Sequence, residues 1–314
     1  MKIGFSTSWI DCDIDRLEAV APVIDALEIG TRGDTGFFHS LERWVRRHEM
    51  PVQSVHASAG PHKTHSEPYY TPNVVSLDPS LRQKDIDEIA FSAEWAEKLG
   101  AHALILHLGK VEEEKLKQEF LRFKQNCLSN PDERHLSDRR TSLEKRRREL
   151  GERYLDIGLK TLNTLCERFP SVTFCLETRA HLHEIPLLEE ARFIIESLPV
   201  SNIGYWHDIG HTYILECLGF GTMDAWQQKL YTRCIGTHIH DVNEHLRDHQ
   251  PPGNGNLDFE MIFGMFSREV LHTLELNALH TPESVMKGIH SLKQSLRRRG
   301  RDTGEQLTPA RRCN

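Results

Sequence analysis

Val172-Thr173-Phe174-Cys175-Leu176-Glu177-Thr178-Arg179 and, one helix-spaced segment later, Ile203-Gly204-Tyr205-Trp206-His207-Asp208 carry the pattern from which the rest of the chain is read. Each run is rich in β-branched, aromatic and apolar residues and short enough to be a strand, and each carries an acid at or near its end. Six further runs of the same kind lie outward from them: Lys2 to Trp9, Asp25 to Gly30, Val52 to Ser58, His102 to Gly109, Ile235 to Val242 and Leu271 to Asn277. The intervening segments have helical spacing. In Asp85 to Leu99, for example, Ile86, Ile89, Ala90, Ala93, Ala96 and Leu99 share a face.

Eight strands alternating with helices predict an α/β chain folded as a (β/α)8 TIM barrel, one domain over residues 1–296. A doubly wound open sheet is the alternative. No G-x-G-x-x-G or Walker loop follows an early strand, which weakens its nucleotide-binding form. The 314 residues suit one such barrel, and their 39 Lys+Arg against 46 Asp+Glu give a net charge of −7, which argues against indiscriminate binding to nucleic acid. The sequence has no stretch of 18 apolar residues, and Met1-Lys2-Ile3-Gly4-Phe5-Ser6 does not read as a signal peptide, so a cytoplasmic protein without membrane contact is expected. Seven scattered cysteines (Cys12, Cys127, Cys166, Cys175, Cys217, Cys234, Cys313) form no C-x-x-C pair and read as reduced thiols.

The connection over residues 111–170 is too long for one crossover. It reads as two helices, Glu112 to Phe123 and Leu143 to Phe169, separated by Asn130-Pro131-Asp132. The charge run Arg139 to Glu152 is expected to be a solvated helix face with Glu144/Arg148 and Glu149/Arg153 pairs. Residues 297–314 are basic and poor in large apolar side chains, and are expected to be a disordered tail.

The chemistry is concentrated at strand ends: His56 on strand three, His107 on four, Glu177 on five, Asp208 on six, His238 on seven and Glu275 on eight. In a parallel barrel the carboxyl ends of all strands open on one face, so these side chains converge there. Imidazoles meeting carboxylates suit a divalent metal such as zinc, manganese, iron or cobalt, and a carboxylate can bridge two ions. A lone strand histidine is commonly a hydrogen-bonded core residue. Acids inside apolar strands, such as Glu177 and Glu275, are rarely buried unless paired or metal-bound. Further donors follow in Asp208-Ile209-Gly210-His211 and His238-Ile239-His240-Asp241, where alternation puts His238 and His240 on one face. His240 and Asp241 are expected at the substrate, with support of a metal ligand the alternative for His240. In the loop that carries His249, Asp258 reads as the N-cap of the next helix.

His56, His107, Glu177, Asp208-x-x-His211, His238-x-x-Asp241, the His249 loop with Gly253-x-Gly255-x-Leu257-Asp258-Phe259, and Glu275 together resemble the superfamily of endonuclease IV and xylose-isomerase-like TIM barrels (AP endonuclease family 2). The sugar isomerase and epimerase branch implies one metal on Glu177, Asp208, His238 and Glu275. The endonuclease branch implies His56 and His107 in addition, with a third ion on loop ligands that match His211 and His249. The ligand inventory is more similar to the second branch, with one departure: the acidic third-metal position falls on Arg247, and Asp248 is displaced by one. The sequence after His56, Ala57-Ser58-Ala59-Gly60-Pro61-His62, does not resemble a DNA-penetrating loop. Tyr69-Tyr70 reads either as a base-stacking pair or as loop packing.

Leu176-Glu177-Thr178-Arg179, Tyr205 to His211 and His238-Ile239-His240-Asp241 resemble a bacterial group that includes the cobamide-remodelling phosphodiesterases. This resemblance implies a hydrolase of a small phosphodiester, favouring the cobamide nucleotide loop. Two or more divalent ions are then expected on His56, His107, Glu177, Asp208, His211, His238, His249 and Glu275. Glu177 bridges and, with Glu275, serves catalysis with water as nucleophile. Arg179 either forks onto the phosphate or closes a salt bridge at the rim. The competing expectation is a single-metal sugar isomerase or epimerase using Glu177 and Glu275 as proton carriers.

Overall fold

Each of the eight expected runs holds a strand, the seventh beginning one residue early at Cys234, and the strands close on themselves. The computed structural model describes residues 2–30, 33, 35–57, 71–129, 133–267 and 269–302. In it β1 (Gly4–Ser6), β2 (Ala26–Ile29), β3 (Val52–His56), β4 (Ala103–Leu106), β5 (Thr173–Glu177), β6 (Ile203–Asp208), β7 (Cys234–Ile239) and β8 (Leu271–Leu274) pair in parallel in chain order, and β8 returns to β1. Closure removes every sheet edge from the barrel. The helix Pro79–Leu99 has its cap in Asp78, whose carboxylate accepts from Ser80 and Leu81, and Pro79 occupies the first turn, where no donor is needed.

Alternation along the strands sorts side chains into two cores. Leu104, Phe174, Leu176 and Tyr205 join the large cluster between barrel and helices, whereas their neighbours Ala103, Ile105, Cys175 and Trp206 form a small separate one with Ile235 and Leu271. Trp206 is fully buried and needs room opposite: a Cβ on Gly236 would lie 2.1 Å from its ring. The indole meets the His238 ring edge-on at 5.4 Å and floors the strand-end cluster.

Between β4 and β5 run the helices Glu114–Ser129 and Glu133–Arg168. The second begins at Glu133 rather than Leu143, because the intervening Arg-rich residues are good helix formers and Leu136 and Leu143 give them a face to bury. The break at 130–132 lies outside the described residues. Most of the charge run is solvated, but its pairing differs from expectation: Lys145 meets Glu149 at 4.0 Å, and Arg146 reaches across to Glu113 and Glu119 at 2.8 and 2.7 Å. Arg147 departs altogether. It is fully buried and forks onto Glu190. The last helix, Pro282–Asp302, continues past Leu296, so the start of the expected tail is helical. Arginine propagates a helix well, and Arg298 pairs with Glu260 at 3.1 Å. Residues 303–314 lie outside the described residues. Among the described residues no helix is long and apolar enough to cross a membrane.

Candidate metal centre

His56, Glu177 and Asp208 end β3, β5 and β6, while His107, His240 and Glu275 immediately follow β4, β7 and β8 or their ladders. Register aligns them: Asp208 and Thr273 both stand opposite His238, and Glu275 continues the ladder by donating its N–H to the Ile239 carbonyl at 3.0 Å. Four sets of potential ligand atoms result, each within 4.8 Å of one another: His56, His107 and Glu177; Glu177, Asp208, His238 and Glu275; His56, His238 and Glu275; and His211, His240 and His249. The strand-end residues expected to converge do so.

Glu177 stands between the first two sets. Its Oε2 faces Nε2 of His56 at 3.3 Å and is in close contact with Nε2 of His107, while Oε1 lies 2.9 Å from Nδ1 of His238. The other nitrogen of His238 donates to Glu28, 3.1 Å from both carboxylate oxygens, and Glu28 in turn accepts from the Ser54 hydroxyl at 2.8 Å. This fixes the His238 ring with Nδ1 toward Glu177, Glu275 and Asp208, the usual way a carboxylate orients a metal-binding imidazole. Sequence reasoning passed over Glu28. The signal that identified Glu177, an acid inside an apolar strand, was present in Ala26-Leu27-Glu28-Ile29.

The electrostatics fit a cation. Burial opposes ionisation of Glu177, Asp208 and Glu275, yet neighbouring imidazoles outweigh it and hold all three carboxyls below their ordinary range: His238 for Glu177 and Glu275, His211 and His240 for Asp208. Burial, with Arg179 nearby, pushes His107 down to about 3, so its ring is neutral. Burial likewise opposes charge on His238, but Glu275, Glu28 and Glu177 raise it well above the usual imidazole range. The pocket therefore draws a proton to the place where its ligand set calls for positive charge, a demand that a divalent ion meets more fully. His107 gives a second test. Arg179 points an N–H at its Nε2, which then presents a lone pair to the Glu177 carboxylate, acceptor against acceptor; its buried Nδ1 has no hydrogen-bond partner among the described residues. A cation between His107 and Glu177 relieves that contact, so the residues present fit a metal.

On the loop side, Asp208 caps the helix Ile209–Cys217 by accepting the His211 N–H at 2.7 Å. Arg247 points to solvent, and Asp248 turns inward instead, its Oδ2 3.6 Å from Nε2 of His211. The different path has a visible cause: Leu246 and His249 both adopt φ of +52° on either side of the displaced position. His249, made neutral chiefly by burial and by His240, sits with Nδ1 3.8 Å from Glu275.

Two expectations for substrate contact need correction. Asp241 is buried, and its carboxylate accepts four backbone amides, from Val242, Gly253, Gly255 and Leu257, at 2.9 to 3.1 Å. It folds the Gly/Asn loop and does not face the opening, because those amides take up both oxygens. His240, also buried, turns to Asp208 and to the His249 backbone. Asp258 caps Phe259–Met265 as expected.

Arg179 closes a salt bridge with Glu184 at 2.9 Å while its other terminal nitrogen faces His107 and, at 3.6 Å, Glu177. Glu184 lies on a short antiparallel ribbon, Glu184–Ile185 against Gly109–Lys110, which ties the loop after β5 to that after β4. Tyr69 and Tyr70, and the loop beyond Ala57, lie outside the described residues.

Among curated proteins none matches this chain. Of solved structures, a D-tagatose 3-epimerase-like protein superposes with a TM-score of 0.66 at 19% identity, covering 96% of this chain and 100% of that one. An L-ribulose 3-epimerase gives 0.65 at 14%, covering 98% and 99%. An AP endonuclease, family 2, from Brucella melitensis gives 0.61 at 14%, covering 91% and 97%. At such identities the likeness is one of fold. The model of the xylose isomerase-like TIM barrels matches residues 38–294, and with the closed barrel and its strand-end ligands this establishes that the chain belongs to that family.

Proposed function

We propose that the protein is a metal-dependent hydrolase that cleaves a phosphodiester in a small nucleotide-containing substrate, with the cobamide nucleotide loop favoured by sequence resemblance. The observation that carries this reading is the shared carboxylate: one oxygen of Glu177 faces His56 and His107, and the other faces His238 in the set completed by Asp208 and Glu275. Two neighbouring ligand sets sharing one acid suit a pair of ions. The chemistry such ions supply when bound is a lowered water pKa and neutralisation of charge on the phosphate oxygens.

The chain's own groups do the rest. Arg179, held at one terminal nitrogen by Glu184, offers the phosphate the other, which faces His107 and Glu177. Glu275 is 9% exposed, more than Glu177 or Asp208, and its depressed pKa keeps it ionised; its Oε2, 3.3 Å from His238 Nδ1, takes the proton of the attacking water. The acidic net charge of −7 suits a small substrate better than DNA.

A second reading, a single-metal sugar isomerase or epimerase, draws support from the four-donor set alone and from the epimerases among the similar folds. Incubating metal-loaded protein with a cobamide, simple phosphodiesters, abasic DNA and ketohexoses, with products followed by mass, separates the two. The expected result is release of an α-ribonucleoside from the cobamide, with two or more ions per chain and loss of activity in His56→Ala and His107→Ala. Ketose interconversion by a one-ion enzyme indifferent to both substitutions would replace the proposal.

A further inference from the structure

We infer that His240 is a positioning residue that locks the two sides of the centre together, orienting the Asp208 carboxylate through Nε2 and the backbone of the His249 loop through Nδ1. Its functional consequence rests on the metal-centre reading above. Nδ1 lies 3.0 Å from the His249 nitrogen, whose hydrogen points at it; the Asp241 carbonyl is farther from Nδ1, at 3.4 Å. A backbone N–H can only donate, so Nδ1 carries the lone pair and the proton sits on Nε2. That proton faces both oxygens of Asp208, at 3.1 and 3.2 Å. Since Oδ1 also accepts the His211 N–H at 2.7 Å, two donors hold that oxygen while Oδ2 stays turned toward His238.

The rest of the local structure is arranged around this ring. Gly210 leaves room for it: a Cβ there would lie 2.0 Å from Cε1 and 2.5 Å from Nδ1 of His240, although the backbone of Gly210 does not itself require glycine. On the other side, His249 holds a left-handed φ of +52°, a conformation that a non-glycine residue keeps only when its surroundings fix it, and its amide is the group that His240 accepts. With both nitrogens engaged, His240 serves the centre by fixing Asp208 and His249. The loop-side donors left over are His211, His249 and Asp248.

Two near-isosteric variants separate the two bonds. His240→Asn keeps an acceptor where Nδ1 stood and loses the donor to Asp208, whereas His240→Gln keeps the donor and loses the acceptor. With Co2+ as probe in chelator competition, His240→Asn is expected to weaken binding about tenfold or more and His240→Gln to stay within about threefold of the parent. Hydrogen exchange at the His249 amide should accelerate in the Gln variant and not in the Asn variant. Gly210→Ala, which displaces the ring without touching His240, should show both defects. Ring-nitrogen NMR of the metal-free protein should find His240 protonated at Nε2. A proton on Nδ1, or Asn and Gln variants that behave alike, would overturn the assignment. A parent protein that binds no Co2+ would refute the metal-centre reading instead, and the NMR and exchange results would still decide the role of His240.

Discussion

Replacing Arg147 by methionine probes how the helical connection supports the barrel mouth. The guanidinium is fully buried. Its Nη1 and Nη2 lie 2.8 and 2.9 Å from the two oxygens of Glu190, Nε donates to the Leu182 carbonyl at 2.8 Å, and Nη2 also reaches the Glu184 carbonyl at 2.9 Å. Methionine retains much of the stem but leaves a carboxylate and two carbonyls without their donor. Removing one member of a buried ion pair costs about 3–5 kcal/mol. The Glu190 side chain is 13% exposed and still accepts the Leu187 N–H at 2.8 Å, which places the expected loss near the lower limit, about 3 kcal/mol. Urea unfolding followed by tryptophan fluorescence should show a lower midpoint at unchanged slope. Adding Glu190→Gln should recover part of the loss, because a neutral amide tolerates the site better than an unpaired charge. Because Leu182 and Glu184 lose their anchor, Arg179 loses part of its own, and KM should rise more than kcat falls. A stability loss under about 1 kcal/mol, or no recovery in the double variant, would refute the account of Arg147 as the buried support of this segment.

Glu28→Gln removes the charge that orients His238 and should lower Co2+ affinity about ten- to hundredfold in chelator competition; an unchanged affinity would remove Glu28 from the centre. Asp241→Asn puts an amide N–H against one pair of backbone donors, either Gly253 and Gly255 or Val242 and Leu257, and hydrogen exchange at that pair should accelerate by about tenfold or more. Burial pushes His183 down to about 4, below its unfolded value, so the unfolded chain binds the extra proton between roughly pH 6.5 and 4. The sign follows: His183 costs no stability above pH 6.5 and up to about 1.4 kcal/mol per pH unit as pH falls through that window. The unfolding free energy from urea titrations should therefore fall less steeply with pH in His183→Leu, the difference in slope growing from pH 7 and approaching one proton near pH 5.

The barrel was legible because its evidence is local. Apolar runs such as Phe174-Cys175-Leu176 announce strands, and an acid at the end of such a run, as at Glu177, has few tolerable roles. What escaped depended on partners distant in sequence. Arg147 resembles its solvated neighbours until Glu190 and the Leu182 carbonyl are brought to it by the fold. Asp241 lies three residues after His238, which faces the centre, yet amides 12 to 16 positions onward claim its carboxylate. For His240, alternation gave the correct face but not which nitrogen carries the proton, since that is set by the His249 amide nine residues later. Glu28 carries the same signal, an acid inside an apolar strand, but it lies on β2, before the six strands whose ends supply the ligands.

Asp241 also has a consequence for the turn it seats. With its carboxylate seated among four amides, the turn from Gly253 to Leu257 already contains the anion around which such glycine-rich turns often organise, and needs none from outside. The entropy of ordering that turn is met during folding, by a charge the chain itself supplies.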